Sequence, residues 1–348
     1  MSSVSESISE HLTLGDIRRR YGISAVGAHH DAVTVTSVAD ALEDITPGAL
    51  YISSAREYDP RIVHAAARRG AYAIVFMRAE SVSESVEDSA VTSALPLDAE
   101  IPVLFANLHN DERARIAADM AGYPSASLAV FAVQGDRSGK LVSALYSVLH
   151  YLGNPLGVID ARGGHSLERE LNMNTPLSPL DIQSMLFVMA EDGATSVILH
   201  IDDSVLEALS LTSVTVDVYT NTSRESYNVP ELSPHVSGMM ETLGLDDAPA
   251  STSKRPSFLR SHAQKDDADE LRRVARQDVQ AYGAEITDQT LCVETSQDAK
   301  DLVDEVLGAE ASEREQELAT AVTMVLAAGV KRSSIKSALR LAYEMKDR

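Results

Sequence analysis

From residue 128 onward, short runs of apolar β-formers alternate with helix-length stretches, and that alternation restricts the chain to one class of fold. LAVFAV (128–133), GVID (157–160), SVILHI (196–201) and VTVDVYT (214–220) are continuously or almost continuously apolar. Strands buried on both faces read this way. Between them the pattern predicts helices over 140–152 and 178–192. Strands that alternate with helices imply βαβ units, right-handed crossovers and a mostly parallel sheet. Helices at 266–281 and 297–308 follow, with TLCVE (290–294) as a strand between them. APASTSKRPS (248–257) is too polar to join a core and reads as a mobile insertion. Ser312 with Glu315 is a possible capping box for ELATAVTMVLAAG, which Gly329 closes, and Ser333 or Ser334 stands ready to cap a last helix.

The first third carries a second, smaller alternation. A helix (LGDIRRRYG) ends at Gly22, VTVTSV (33–38) alternates as a strand, and Pro47 and Gly48 supply a turn. RIVHAAARRG (61–70) reads as a helix, AYAIVFM (71–77) and IPVLFA (101–106) as strands, and a further helix covers 110–121. The expected organisation is a small α/β domain over 1–126 and a larger α/β domain over 127–348.

Composition removes several functions. A formal charge of −22 over 348 residues repels a nucleic-acid backbone. One cysteine, Cys292, excludes an intrachain disulfide and a Cys-based zinc site. MSSVSESISEH has no signal-peptide core, and no apolar run reaches the length of a membrane span. The expectation is a cytoplasmic protein with neither nucleic acid nor membrane as partner.

One loop carries most of the chemical interest. VQGDRSGKLVSAL (133–145) joins a strand to a helix and outlines a phosphate cradle through Gly135, Ser138, Gly139 and Lys140. A P-loop places a Ser or Thr hydroxyl after its lysine to hold magnesium, and here the residue is Leu141. Asp136 adds a carboxylate where phosphates would lie. At ~6 Å and an effective dielectric of ~20, each like charge costs roughly 3 kcal/mol, which Arg137 offsets in part. Two readings stay open: an anion site at a helix N-terminus, and a plain strand-to-helix turn.

Further stretches resemble the Mur ligases in order and spacing, especially the member that adds the third residue to the UDP-MurNAc peptide. ITPGALYIS and HAAARRGAYAIVF are similar to the family's first domain. AGYPSASLAVFAVQG (121–135), MNTPLSPLDIQSMLFVMAEDGATSVILHI (173–201), VDVYTNTSRES (216–226) and QKDDADELRRVARQDVQAYG are similar to its central domain. The resemblance implies a P-loop or Rossmann-like central domain, with a C-terminal ligase domain expected to be missing. It also implies an activity in which ATP phosphorylates a carboxylate and an amine then displaces phosphate.

Position by position, the implied machinery is altered. His200 stands where the family has a metal-binding Glu, and Asp202 and Asp203 replace two serines near substrate; together they also suggest a new metal site. Ser226 replaces a metal-proximal His. The region of the family's modified lysine reads SGMMETLGLDD, with no lysine before Lys254. No adenine-contacting Asn lies near Gln316 and Glu317, and ALE (41–43) replaces a uracil-proximal D-S-R. Thr175 and Pro176 match the family's T-T-P, which helix entry accounts for equally well. RGGHS (162–166) reads as a loop with a lone His165.

The expectation is therefore a Mur-ligase-like binding or scaffolding module without ligase activity, without catalytic or metal residues, and with cell-wall synthesis proteins as partners. Residual ATP affinity through Gly139 and Lys140, or active amino-acid ligation, are the alternatives; ATP and magnesium are cofactors only under these.

Overall fold

A computed structural model describes residues 12–26, 31–77, 99–223, 257–307 and 314–346. The N-terminal part contains β1 (Leu12–Thr13), α1 (Leu14–Tyr21), β2 (Ser24–Val26), β3 (Thr34–Val35), β4 (Ser37–Ala39) and β5 (Ala49–Ser53). It continues with α2 (Pro60–Arg69), β6 (Ala73–Met77), β7 (Val103–Ala106) and α3 (Asn110–Ala121). Five strands form a sheet in the order β2-β7-β6-β5-β4, parallel except for β2, while β1 and β3 pair separately. The expected single strand VTVTSV is thus two. Thr36 divides them, because Thr34–Val35 pairs with β1 whereas Ser37–Ala39 pairs with β5.

The two-residue period of the strands sorts their side chains into two cores. Leu50, Ile52, Val75 and Leu104 pack on one face with Leu14, Ile17 and Ile116; Tyr51, Ile74, Phe76 and Phe105 pack on the other with Val63 and Ala66. Covering both faces is why these strands read as unbroken apolar runs.

The larger sheet is built from β8 (Ala129–Gln134), β9 (Leu156–Asp160), β10 (Gly163–Ser166), β11 (Arg169–Leu171), β12 (Ser196–Ile201), β13 (Val218–Asn221) and β14 (Leu291–Cys292). Their order is β11-β10-β9-β12-β8-β13-β14. The five strands from β9 to β14 in that order are parallel, and β10 and β11 complete an antiparallel edge. Around them lie α4 (Ser138–Tyr151), α5 (Pro179–Glu191), α6 (Ser257–Asp278), α7 (Gln297–Leu307), α8 (Arg314–Ala327) and α9 (Arg332–Lys346). Phe131, Val133, Val158 and Ile198 meet α4, α7, α8 and α9 on one face; Val130, Ala132, Ile159 and Val197 meet α5 and the end of α6 on the other. The mixed α/β architecture read from the sequence is present. No helix among the described residues is long and apolar enough to cross a membrane.

Three local expectations change. RGGHS is mostly strand: His165 lies on β10, paired with Val158. VTVDVYT becomes a strand only at Val218, because the Asp217 carboxylate accepts from the Val130 amide at 2.7 Å and takes the place of a ladder bond. Ser333 and Ser334 lie inside the first turn of α9, which begins at Arg332. Ser312, the stretch 237–247, Ser226 and, apart from Ser257, the stretch 248–257 lie outside the described residues.

The connection between the two sheets is pinned by a buried carboxylate. Asp119, at the end of α3, accepts hydrogen bonds from Tyr21 and Tyr123 at 2.6 Å each and forms an ion pair with Arg20. Tyr123 starts the link to β8 in a left-handed conformation. Beyond it, α3 packs against α5, and the Asn110 side chain donates to the Ala208 carbonyl at 3.1 Å. Burial opposes ionisation of Asp119, but the three donors outweigh it and hold the carboxyl below the usual carboxylate range.

A carboxylate whose pKa is lowered by folding stabilises the fold above its unfolded value, and that stability disappears as pH falls through the folded value. Asp119→Asn is therefore expected to cost about 2–4 kcal/mol at pH 7. Urea denaturation of both chains between pH 2 and 7 should show the gap constant above about pH 4 and shrinking below 3.8.

Candidate functional site at the carboxyl ends of the parallel strands

In an open parallel sheet, ligands bind beyond the carboxyl ends of the strands, where successive connections leave in opposite directions. Here that point is the end of β8, with β9 and β12 on one side and β13 and β14 on the other. The loop from Gly135 to Lys140 occupies it.

Gly135 has φ +104°, and a Cβ on it would lie 2.5 Å from the Ser223 amide nitrogen and 2.7 Å from Asn221 Oδ1. Only glycine lets the loop come this close to the end of β13. That approach gives the loop amides partners within the protein. The Asp136 N–H donates to Ser223 Oγ at 2.9 Å and the Arg137 N–H to Thr222 Oγ1 at 3.1 Å. The Ser138 N–H donates to the Gly135 carbonyl, and the Lys140 and Leu141 N–H groups to the Arg137 carbonyl. A phosphate cradle works by aiming such amides at its ligand.

The side chains follow the same pattern. Ser138 is buried, and its hydroxyl shares a 2.6 Å hydrogen bond with Nε2 of His200, from β12. Burial pushes the His200 imidazole down, despite nearby Asp202 and Asp160, so the ring is neutral at pH 7. Its Nδ1 is buried without a hydrogen-bond partner. Leu141 is fully buried in the core beneath α4, with Leu145 and Val148. Lys140 is exposed. Nothing lies within 4 Å of a Cβ placed on Gly139, so its place in the loop has no steric cause.

The structure brings Gly135, Ser138, Gly139, Lys140 and His200 together and leaves the other candidates apart. Asp202 folds back onto the Ser204 amide and hydroxyl, whereas Asp203 accepts from the Tyr282 hydroxyl at 2.6 Å. Asp202 acts on His200 only as a nearby charge, and no group of three or more metal-ligating side chains exists among the described residues. Thr175 is exposed. Helix entry is the work of Ser178 and Asp181, whose reciprocal capping box starts α5 at Pro179, so Thr175 and Pro176 do not serve it.

Two groups escaped the sequence reading. Asp160 ends β9 as a buried carboxylate; Arg162 Nε donates to it at 2.9 Å, and Arg162 Nη1 reaches Ser143 on α4 at 3.0 Å. The signal was a carboxylate closing a buried strand, two residues before an arginine. The second is a cleft of about 50 Å3 between β13, β14 and α8, with Arg137 over it and Glu317 in its wall.

A magnesium-bound triphosphate does not fit these residues well. The Asp136, Arg137, Ser138 and Lys140 amides have acceptors within the protein, position 141 offers no oxygen, and Asp136 adds negative charge.

No family model matches the chain. No curated protein matches it either. Solved structures that resemble it include the UDP-N-acetylmuramoyl-L-alanyl-D-glutamate–2,6-diaminopimelate ligase, 14% identical over 93% of this chain and 65% of that one, with a TM-score of 0.49. MurF from Acinetobacter baumannii is 13% identical over 95% and 68%, with a TM-score of 0.48. E. coli FolC in complex with DHPP and ADP is 16% identical over 64% and 59%, at 0.30. The chain spans about two thirds of the length of the two Mur ligases. At such values the residues of the site carry only the roles that their own geometry supports.

Three substitutions distinguish a structural turn from a phosphate cradle. Gly135→Ala should destabilise by about 2–4 kcal/mol through its positive φ and the contact with Ser223. Gly139→Ala should stabilise α4 by about 0.5–1 kcal/mol. Leu141→Thr, which restores the P-loop hydroxyl, should cost about 2–4 kcal/mol by opening the core and confer no ATP affinity. Chemical denaturation reads all three, and calorimetric titration with Mg-ATP checks the last.

Proposed function

We propose that the chain is a Mur-ligase-like protein that keeps the fold without the ligase reaction and serves as a binding or scaffolding module. The observation that supports it most is the inward commitment of the loop amides at Asp136, Arg137, Ser138 and Lys140. Phosphorylating a carboxylate requires positioned phosphates and a cation that neutralises developing charge. Leu141 supplies neither, and Asp202, Asp203 and His200 are engaged separately. A cytoplasmic place beside cell-wall synthesis proteins belongs to this reading.

A second reading, nucleotide binding without turnover, draws on two residues. Gly139 and Lys140 lie in the first turn of a 14-residue helix, whose N-terminus attracts anions.

Calorimetry with Mg-ATP and a phosphate-release assay test both. The first reading expects no heat at millimolar ATP, and no phosphate above background with UDP-MurNAc-dipeptide and diaminopimelate or lysine. Saturable heat without turnover would favour the second. Turnover would overturn both and make the protein an active ligase.

A further inference from the structure

The cleft beside the loop contains a buried acid that the protein does not fully match. Glu317, on α8, has a side chain only 5% exposed. Its Oε2 is buried without a hydrogen-bond partner. Its Oε1 lies 4.0 Å from Arg137 Nε, outside hydrogen-bond reach, because Arg137 Nη1 donates instead to Gln316 Oε1 at 2.6 Å. A carboxylate held this way lacks a donor on one oxygen.

The neighbouring hydroxyls do not provide that donor. The Thr220 hydroxyl donates to the Val293 carbonyl at 2.8 Å, and the Thr320 hydroxyl to the Gln316 carbonyl at 2.8 Å. With its proton used, Thr320 Oγ1 accepts from the Thr295 hydroxyl at 2.6 Å. All three hydroxyl protons point into the protein, so these side chains offer only lone pairs to the cleft. Glu294, at the exposed rim, adds a second carboxylate. The space is about 50 Å3, against roughly 300–1,000 Å3 for pockets that take drug-sized ligands, and holds only a few heavy atoms.

We propose that this cleft binds a small monovalent cation, either a primary ammonium head group or a bare ion of similar size, against Glu317. The hydroxyl oxygens of Thr220 and Thr295 complete its surroundings, and the Arg137 guanidinium lies over the entrance as a competing charge. Lone pairs and a carboxylate suit such a cation; a nucleotide base, which needs donors as well as acceptors and far more room, does not fit. The site is independent of whether the loop retains nucleotide affinity.

The test is thermal denaturation of the whole chain at constant ionic strength, with tetramethylammonium chloride replaced stepwise by methylammonium chloride or by potassium chloride. Either small cation should raise Tm saturably, by roughly 2–4 °C at high occupancy. A response to methylammonium alone identifies an ammonium head group as ligand, and a response to potassium identifies an ion; both support the site. Glu317→Gln, an isosteric change that should fold at least as well, should abolish the shift. Arg137→Met should lower the cation concentration at half effect several-fold. No saturable shift in the native protein, an equal shift in Glu317→Gln, or a half-effect concentration that Arg137→Met leaves unchanged or raises would overturn the proposal.

Discussion

Where β8 ends, the backbone of Gly135 passes so near the end of β13 that no side chain fits between them. The site follows from that approach. It brings Ser223 and Thr222 within reach of the next two amides, which turns the loop toward the protein. It starts α4 at Ser138, which places that hydroxyl against His200 and sends Leu141 into the core. A loop with the outline of a phosphate cradle thereby has most of its amides bonded to its own chain. The glycine that suggests nucleotide binding in the sequence has a sufficient structural cause, whereas Gly139 has none.

The same sheet end shows how buried polar groups divide between structure and function. Asp160 is matched by Arg162 and fastens the end of β9. Asp119 does the same for the connection between the sheets, with two phenols and a guanidinium. Glu317 and His200 differ, since each keeps one buried atom without a partner. An unmatched buried atom is costly; Arg113, Gln183, Ser196 and Ser210 also carry one, but Glu317 and His200 are the two that lie beside the loop.

The α/β architecture was legible because period and composition act locally. Runs such as SVILHI are apolar throughout since both sheet faces are covered, and β12 spans Ser196–Ile201, as that run suggests. The failures arose where one long-range contact overrides a local pattern. VTVTSV breaks at Thr36 because its two halves pair with different strands, β1 and β5, and VTVDVYT starts late because Asp217 spends its side chain on Val130. RGGHS reads as a loop because two glycines precede His165, yet pairing with β9 makes it strand. For the site, the spacing of Gly135, Ser138, Gly139 and Lys140 was readable, but the direction of their amides was not. That direction depends on residues more than eighty positions away. Asp202 and Asp203 looked paired for the same reason: adjacency in sequence says nothing of the Tyr282 hydroxyl that draws one of them aside.

The claim at the centre is that the Asp136, Arg137, Ser138 and Lys140 amides are already occupied, and a crystal structure of the chain grown with ATP and magnesium tests it most directly. The expected result is a loop unchanged from the one described, with the Asp136 and Arg137 amides on Ser223 and Thr222 and no ordered phosphate. An ordered magnesium ion bridging the β and γ oxygens beside Lys140, with those amides turned toward them, would contradict it.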